Sequence, residues 1–282
     1  MTRAEDVEFR VARVIAALDA SGGDIATVGA AVEFAARLGA EVAGLFIEDA
    51  NLFRLAALPV TRHLALRSQA PSAFDAARLE ADLRAGAARA EAELGAAATR
   101  RGLRWSFRVV RGLPAAELTA ATVVEDVLVV GPPPRVSGLP LGLGGALALA
   151  ACRCTRTLLM ATASARIGRP LVVLDAGSAL TARVLTAAAR LAAPGQAEVA
   201  LLILGGGREA ALLEQDAAAW LSRRGFRPLI GRLERPSATA LLGRMHAGGH
   251  DVLVLPADLP SIAEDGLEAL MTAADGQVLV VR

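Results

Sequence analysis

Lysine is missing from this chain: all thirty basic residues are arginines. That excludes the phosphate-holding lysine of a Walker A loop, the kinase lysine and any Schiff-base lysine. Tyrosine is absent as well, and aromatic residues make up only 3%, which leaves few stacking surfaces for single-stranded nucleic acid. Two cysteines, Cys152 and Cys154, cannot build a disulfide framework, and their spacing is not that of a Cys-X-X-Cys redox pair. An excess of one charge is lacking too. The net charge is +1, so no strong field draws the chain to nucleic acid or to an anionic membrane. Long apolar runs are also scarce. The longest uncharged stretch, 136–152, contains Pro140 and four glycines and reads as a buried loop and helix, not a membrane span. The first residues have no apolar core of a secretory signal, so a cytoplasmic protein is expected.

What is present is a repeat. The chain has 282 residues, enough for two ordinary domains. An apolar run ends in Asp19 and Ala20, and a second ends in Asp175 and Ala176. Each reads as a buried parallel strand. A Glu-Val-Ala sequence begins 22 residues after the first Asp, at Glu41, and 23 after the second, at Glu198. Alanine- and leucine-rich helices are expected between them, at 24–38 and 179–192. Second strands follow at 42–47 and 199–204, helices near 73–101 and 207–224, and third strands near 105–110 and 226–231. Pro114 and Pro236 are placed to open short helices. Fourth strands begin at Asp126-Val-Leu-Val and Asp251-Val-Leu-Val. Helices near 143–152 and 260–273 lead to last strands at 157–161 and 278–281. Both halves therefore read βαβαβαβαβ, the alternation of a doubly wound parallel sheet. The polar stretch 162–169 divides them into domains 1–165 and 166–282.

The first repeat has about 35 residues more than the second between its second and third strands. Part of the excess is an apolar loop, 48–72, rich in Leu, Phe and Val. It reads as a short extra helix packed on the domain, or as a lid or a surface for a protein partner.

The strand ending in Asp19-Ala20-Ser21, followed by a helix and a second apolar strand, resembles the opening of universal stress proteins. The likeness extends over the whole chain as two copies. It implies two five-stranded parallel sheets of order 3-2-1-4-5, paired like a dimer, in a regulatory protein of the stress response. Some members of that family bind ATP. They carry Gly, two residues, Gly, nine residues, then Gly and Ser or Thr after strand four, where glycines let backbone N–H groups reach phosphate at a helix N-terminus. Here Gly131 and Gly144 match that pattern. Pro134 and Gly145 do not, and Pro132, Pro133 and Pro134 remove three N–H donors. Arg135 could hold an anion. The resemblance places Asp19 and the backbone at Ile47 near the adenosine. The ligand site is thus expected at Asp19, Ile47, Gly131, Arg135, Gly144 and Gly145. The ligand implied is ATP or another adenine nucleotide, bound weakly, or a small ligand lacking a full triphosphate; the same glycines also suit a plain turn. In the second repeat Pro256 and Asp258 replace the glycine loop, and no nucleotide is expected there.

Other motifs read as structural. His246 and His250 have metal-pair spacing, but Gly248-Gly249 should break the helix between them. His63 stands alone in the loop, and Gly205-Gly206-Gly207 suits a turn. No nucleophile–base pair or metal cluster marks an enzyme. Two readings remain: a regulatory protein with a ligand in its first repeat, or an interaction module of the same fold without nucleotide. Homodimers are a further expectation in either case.

Overall fold

The computed structural model describes residues 9–20, 24–56, 62–64, 71–73, 76–131, 135–136, 139–140, 150–151, 157–162, 166–259, 270, 273–274 and 276–282. Ten strands form one sheet. In the first half they are β1 (Arg13–Leu18), β2 (Glu41–Asp49), β5 (Trp105–Gly112), β6 (Asp126–Val130) and β9 (Thr157–Met160). In the second half they are β10 (Pro170–Leu174), β11 (Glu198–Leu204), β12 (Arg227–Leu233), β13 (Val252–Pro256) and β14 (Gln277–Val281). The order is β12-β11-β10-β13-β14-β9-β6-β1-β2-β5. Each half therefore runs 3-2-1-4-5, as the resemblance implied. All neighbours are parallel except β14 and β9, the two fifth strands, which pair antiparallel with Leu279 opposite Leu159. That pairing fuses the halves into one sheet and points their strand carboxyl ends in opposite directions.

The central strands are apolar throughout because both faces are covered. One face buries Val14, Leu18, Phe46, Val129, Leu159, Val172, Ile203 and Leu279. Helices α1 (Asp24–Leu38) and α3 (Ala76–Arg100) cover it in the first half, α5 (Thr181–Leu191) and α6 (Gly207–Arg223) in the second. The other face buries Ile15, Ile47, Leu128, Met160, Val173 and Val280. It is covered in part by α4 (Pro114–Ala121) and α7 (Ala238–Ala247).

Since α1 and α5 lie on the same face, the halves are related by a pseudo-twofold axis normal to the sheet, between β9 and β14. Two arginines make reciprocal contacts across it. Arg37, in the last turn of α1, donates to the Leu191 carbonyl at 3.0 Å. Arg190, in the last turn of α5, donates to the Leu38 carbonyl at 2.8 Å and to the Phe9 carbonyl at 2.6 Å. Each guanidinium thus satisfies an orphan carbonyl at the end of the opposite helix, where the dipole also favours a cation.

Several local expectations change. Pro114 does open α4, but Pro236 does not open α7. Ser237 is the N-cap and its Oγ accepts from the Ala240 N–H at 3.2 Å, because a hydroxyl satisfies an orphan donor that a proline cannot reach. Residues 48 and 49 belong to β2, not to the insertion. The insertion supplies α2 (Ala50–Ala56) and a small hairpin of β3 (Arg62–Leu64) and β4 (Pro71–Ala73). Backbone pairing places His63 in that hairpin, not in an open loop. Phe53 of α2 packs on the core, so the start of the insertion does lie against its own domain. Helix α7 ends at Ala247 and Gly249 takes a positive φ, which carries His250 off the helix, as the two glycines required. Cys152 and Cys154 lie outside the described residues. Among the described residues, no helix is long and apolar enough to cross a membrane.

Candidate site at the carboxyl ends of the first-repeat strands

Strand β1 lies between β2 and β6, so connections leave it on opposite sides. Such a switch point at the carboxyl ends is the usual ligand position in doubly wound sheets. Asp19 follows the last residue of β1. Leu18 pairs with Phe46, which sets Asp19 level with Ile47, and by pleat alternation both face the α4 side. Ala17 pairs with Val130, which sets Gly131 level with Leu18. Three of the six expected residues are therefore brought together. Ile47 is fully buried, so only its backbone can meet a ligand. Arg135 opens strand β7 (Arg135–Val136), paired with β8 (Leu139–Pro140) in a two-residue hairpin. Gly144 and Gly145 lie outside the described residues, as do Pro132, Pro133 and Pro134.

Sequence reasoning missed two residues at this end. Asp49, the last residue of β2, lies one pleat beyond Ile47 on the same face and is 5% exposed. Its Oδ1 accepts from the Asn51 N–H at 2.9 Å, while its Oδ2 is buried with no hydrogen-bond partner. Thr162 continues the alternation of β9 on that face, and its buried Oγ1 also lacks a partner. Strands β2, β1, β6 and β9 are neighbours, so Asp49 and Thr162 lie three strand spacings apart across the sheet, about 14 Å laterally, with Asp49 two residues further along its strand. Unpaired buried polar atoms are rare and costly, about 1–3 kcal/mol each. The only sequence signal for Asp49 was an acidic pair, Glu48-Asp49, closing an otherwise apolar strand.

The charges at this end are arranged for donors, not anions. Glu48 accepts from Arg111 of β5 at 2.7 Å. Arg111 also lies 4.0 Å over the Phe53 ring and 3.3 Å from Glu80. Hydrogen bonding to Glu48 raises its pKa. Its charge is therefore committed to two carboxylates, and the unpaired Oδ2 of Asp49 remains as an acceptor.

The second repeat keeps the strand-end Asp but differs at other corresponding places. Register matches Asp49 with Gly206 and Thr162 with Arg282. Asp175, the counterpart of Asp19, accepts from the Gly177 N–H at 2.9 Å and so closes a turn, not a helix cap. Asp258 reaches across this switch point. Its Oδ1 accepts from Ser178 Oγ at 2.6 Å and its Oδ2 from the Ala179 N–H at 2.9 Å. A carboxylate of the protein thus occupies donors that a bound anion would otherwise use.

No family model and no curated protein matches the chain by sequence. Solved structures do match in shape. A universal stress protein from Archaeoglobus fulgidus DSM 4304 superposes with a TM-score of 0.71 at 12% identity, over 96% of this chain and 98% of that one. A putative universal stress protein from Pseudomonas aeruginosa UCBPP-PA14 gives 0.57 at 14% identity, over 97% and 94%. A protein of unknown function from Pseudomonas aeruginosa PAO1 gives 0.60 at 12%, over 98% and 94%. The chain has the tandem universal stress protein fold, two 3-2-1-4-5 halves joined through their fifth strands.

Proposed function

We propose that the chain is a non-enzymatic regulatory protein of the universal stress type, with one small-ligand site in its first repeat and a structural second repeat. The observation that carries this reading is the contrast between the two switch points. The first holds two buried oxygens without partners, from Asp49 and Thr162, beside Asp19. The second is bridged by Asp258. A ligand that presents hydroxyl or amino donors to Asp49 would relieve its unpaired oxygen. A nucleoside or a nucleotide with few phosphates has those donors. A full triphosphate fits less well, because three prolines strip N–H groups from the loop that would receive it.

The test is mass spectrometry of small molecules released from freshly purified protein, followed by calorimetric titration of adenosine, AMP and ATP. The reading expects a donor-rich ligand in about one copy per chain, bound more tightly than ATP. Protein free of ligand and silent to all three would favour the interaction-module reading.

A further inference from the structure

Helices α3 and α6 occupy equivalent places, but α3 packs closely on α1 while α6 touches α5 only lightly. The turns that follow them set the correspondence. Leu103 N–H bonds the Ala98 carbonyl and Phe226 N–H bonds the Leu221 carbonyl, beside positive-φ Gly102 and Gly225. On this alignment Arg89 corresponds to Leu212, Ala90 to Leu213 and Ala97 to Trp220. In the first repeat α3 buries Leu83, Ala87, Ala90, Leu94 and Ala98 on its inner face. In the second, α6 buries Ala210, Ala217 and Leu221; Leu213 and Trp220 pack part-buried on the core, with Arg224 3.8 Å over the Trp220 ring, and Leu212 stands outward. Leu212 is 48% exposed.

The result is a groove of about 730 Å³ between α6 and the amino-terminal half of α5, lined by Leu185, Leu212, Leu213 and Trp220. Along α6 the lining residues recur every three or four positions from Glu209 to Arg223, four turns or about 21 Å. That is the seam a second helix packs into. Glu209 and Asp216 lie on this seam seven residues apart. Neither has an ion-pair partner among the described residues.

We infer that this groove docks an amphipathic α-helix of a partner protein, with apolar residues at three- and four-residue spacing and two basic residues seven apart to meet Glu209 and Asp216. Helix-in-groove recognition supplies the apolar contact, and the two carboxylates select charge and register. This surface is independent of the first-repeat switch point.

The test uses the full chain and a fluorescein-labelled synthetic helix of about 18 residues, long enough to hold its shape. The peptide carries Leu on one face and Arg at two flanking positions; a control carries Glu there. Fluorescence anisotropy should show saturable binding of the Arg peptide, at least about tenfold tighter than the control. Leu212→Arg, which restores the first-repeat residue type at an exposed site, should weaken binding about tenfold with the melting temperature unchanged. Glu209→Arg with Asp216→Arg should reverse the preference between peptides. Equal binding of both peptides, or binding indifferent to Leu212→Arg, would overturn the inference. So would sedimentation showing self-association that Leu212→Arg abolishes, since the occupant would then be a second copy of this chain.

Discussion

At the residue scale the chain is decided by where carboxylates find partners. Asp126, almost fully buried, accepts from Arg13 at 2.7 and 3.3 Å and from the Val123 N–H at 2.8 Å. Arg13 correspondingly has a raised pKa, chiefly through its hydrogen bond to Asp126. Asp126→Ala would leave those donors unpaired, and we expect a loss of about 3 kcal/mol in urea unfolding. Asp49 is the opposite case, with one oxygen unanswered. Asp49→Asn keeps its shape and removes its charge. The melting temperature should hold or rise, while any molecule co-purifying with the wild type should disappear from released-ligand mass spectra. A variant that retains that molecule would remove Asp49 from the site. His250 gives a pH signature. Burial and the nearby Arg169 lower its pKa from 6.5, with Asp251 opposing. The folded state therefore prefers the neutral imidazole, and the unfolded chain takes up the proton first. The stabilisation is complete above about pH 6.5 and is lost as pH falls toward the lower folded value. Melting curves between about pH 7 and 5 should slope less in His250→Gln than in the wild type.

At the element scale, strands were easier to read than helix starts. Buried parallel strands need apolar side chains on both faces, and that requirement writes itself into runs such as Val127-Leu-Val-Val. Helix α7 was misplaced because proline and serine are adjacent there and both suit a helix beginning; only the hydrogen bond from Ala240 separates them. Ser237→Ala should cost about 1 kcal/mol in thermal unfolding. The edge strands show a second device. Strand β5 exposes Trp105 and Val109, and β12 exposes Leu229 and Ile230. Arg108 and Arg111 on one edge, and Arg227, Pro228 and Arg232 on the other, guard against edge pairing. Beneath β5, a Cβ at Gly44 would collide with the Phe107 ring and Leu94. Gly44→Ala should therefore destabilise by about 1–3 kcal/mol and loosen the edge, visible as faster amide exchange along β5.

At the scale of the whole molecule, each half completes the other. Strand β14 is covered by β9, and α5 meets α1 through Arg37 and Arg190. A fragment of residues 166–282 would expose the β14 edge and the flank of α5. We expect it to self-associate through paired β14 strands, which sedimentation should detect as a dimer absent from the full chain. Arg190→Ala should lower full-chain stability by about 2 kcal/mol, since it removes charged hydrogen bonds to two carbonyls.

The order of elements and the presence of two copies were legible in the amino-acid sequence alone, because strand periodicity, strand-end aspartates and the spacing to Glu-Val-Ala are local properties of the chain. The expectation that Asp19, Ile47 and Gly131 share one end of one sheet came from the resemblance to universal stress proteins and the switch-point rule, not from the repeat itself. Tertiary structure decided what depends on distant partners. The union of β9 with β14 is a pairing between segments more than a hundred residues apart. The bridge from Asp258 to Ser178, the unanswered oxygen of Asp49 and the open groove beside Leu212 likewise exist only once separate elements are brought together. A hydrogen bond or its absence is a relation between two positions in space, and no single stretch of sequence contains both.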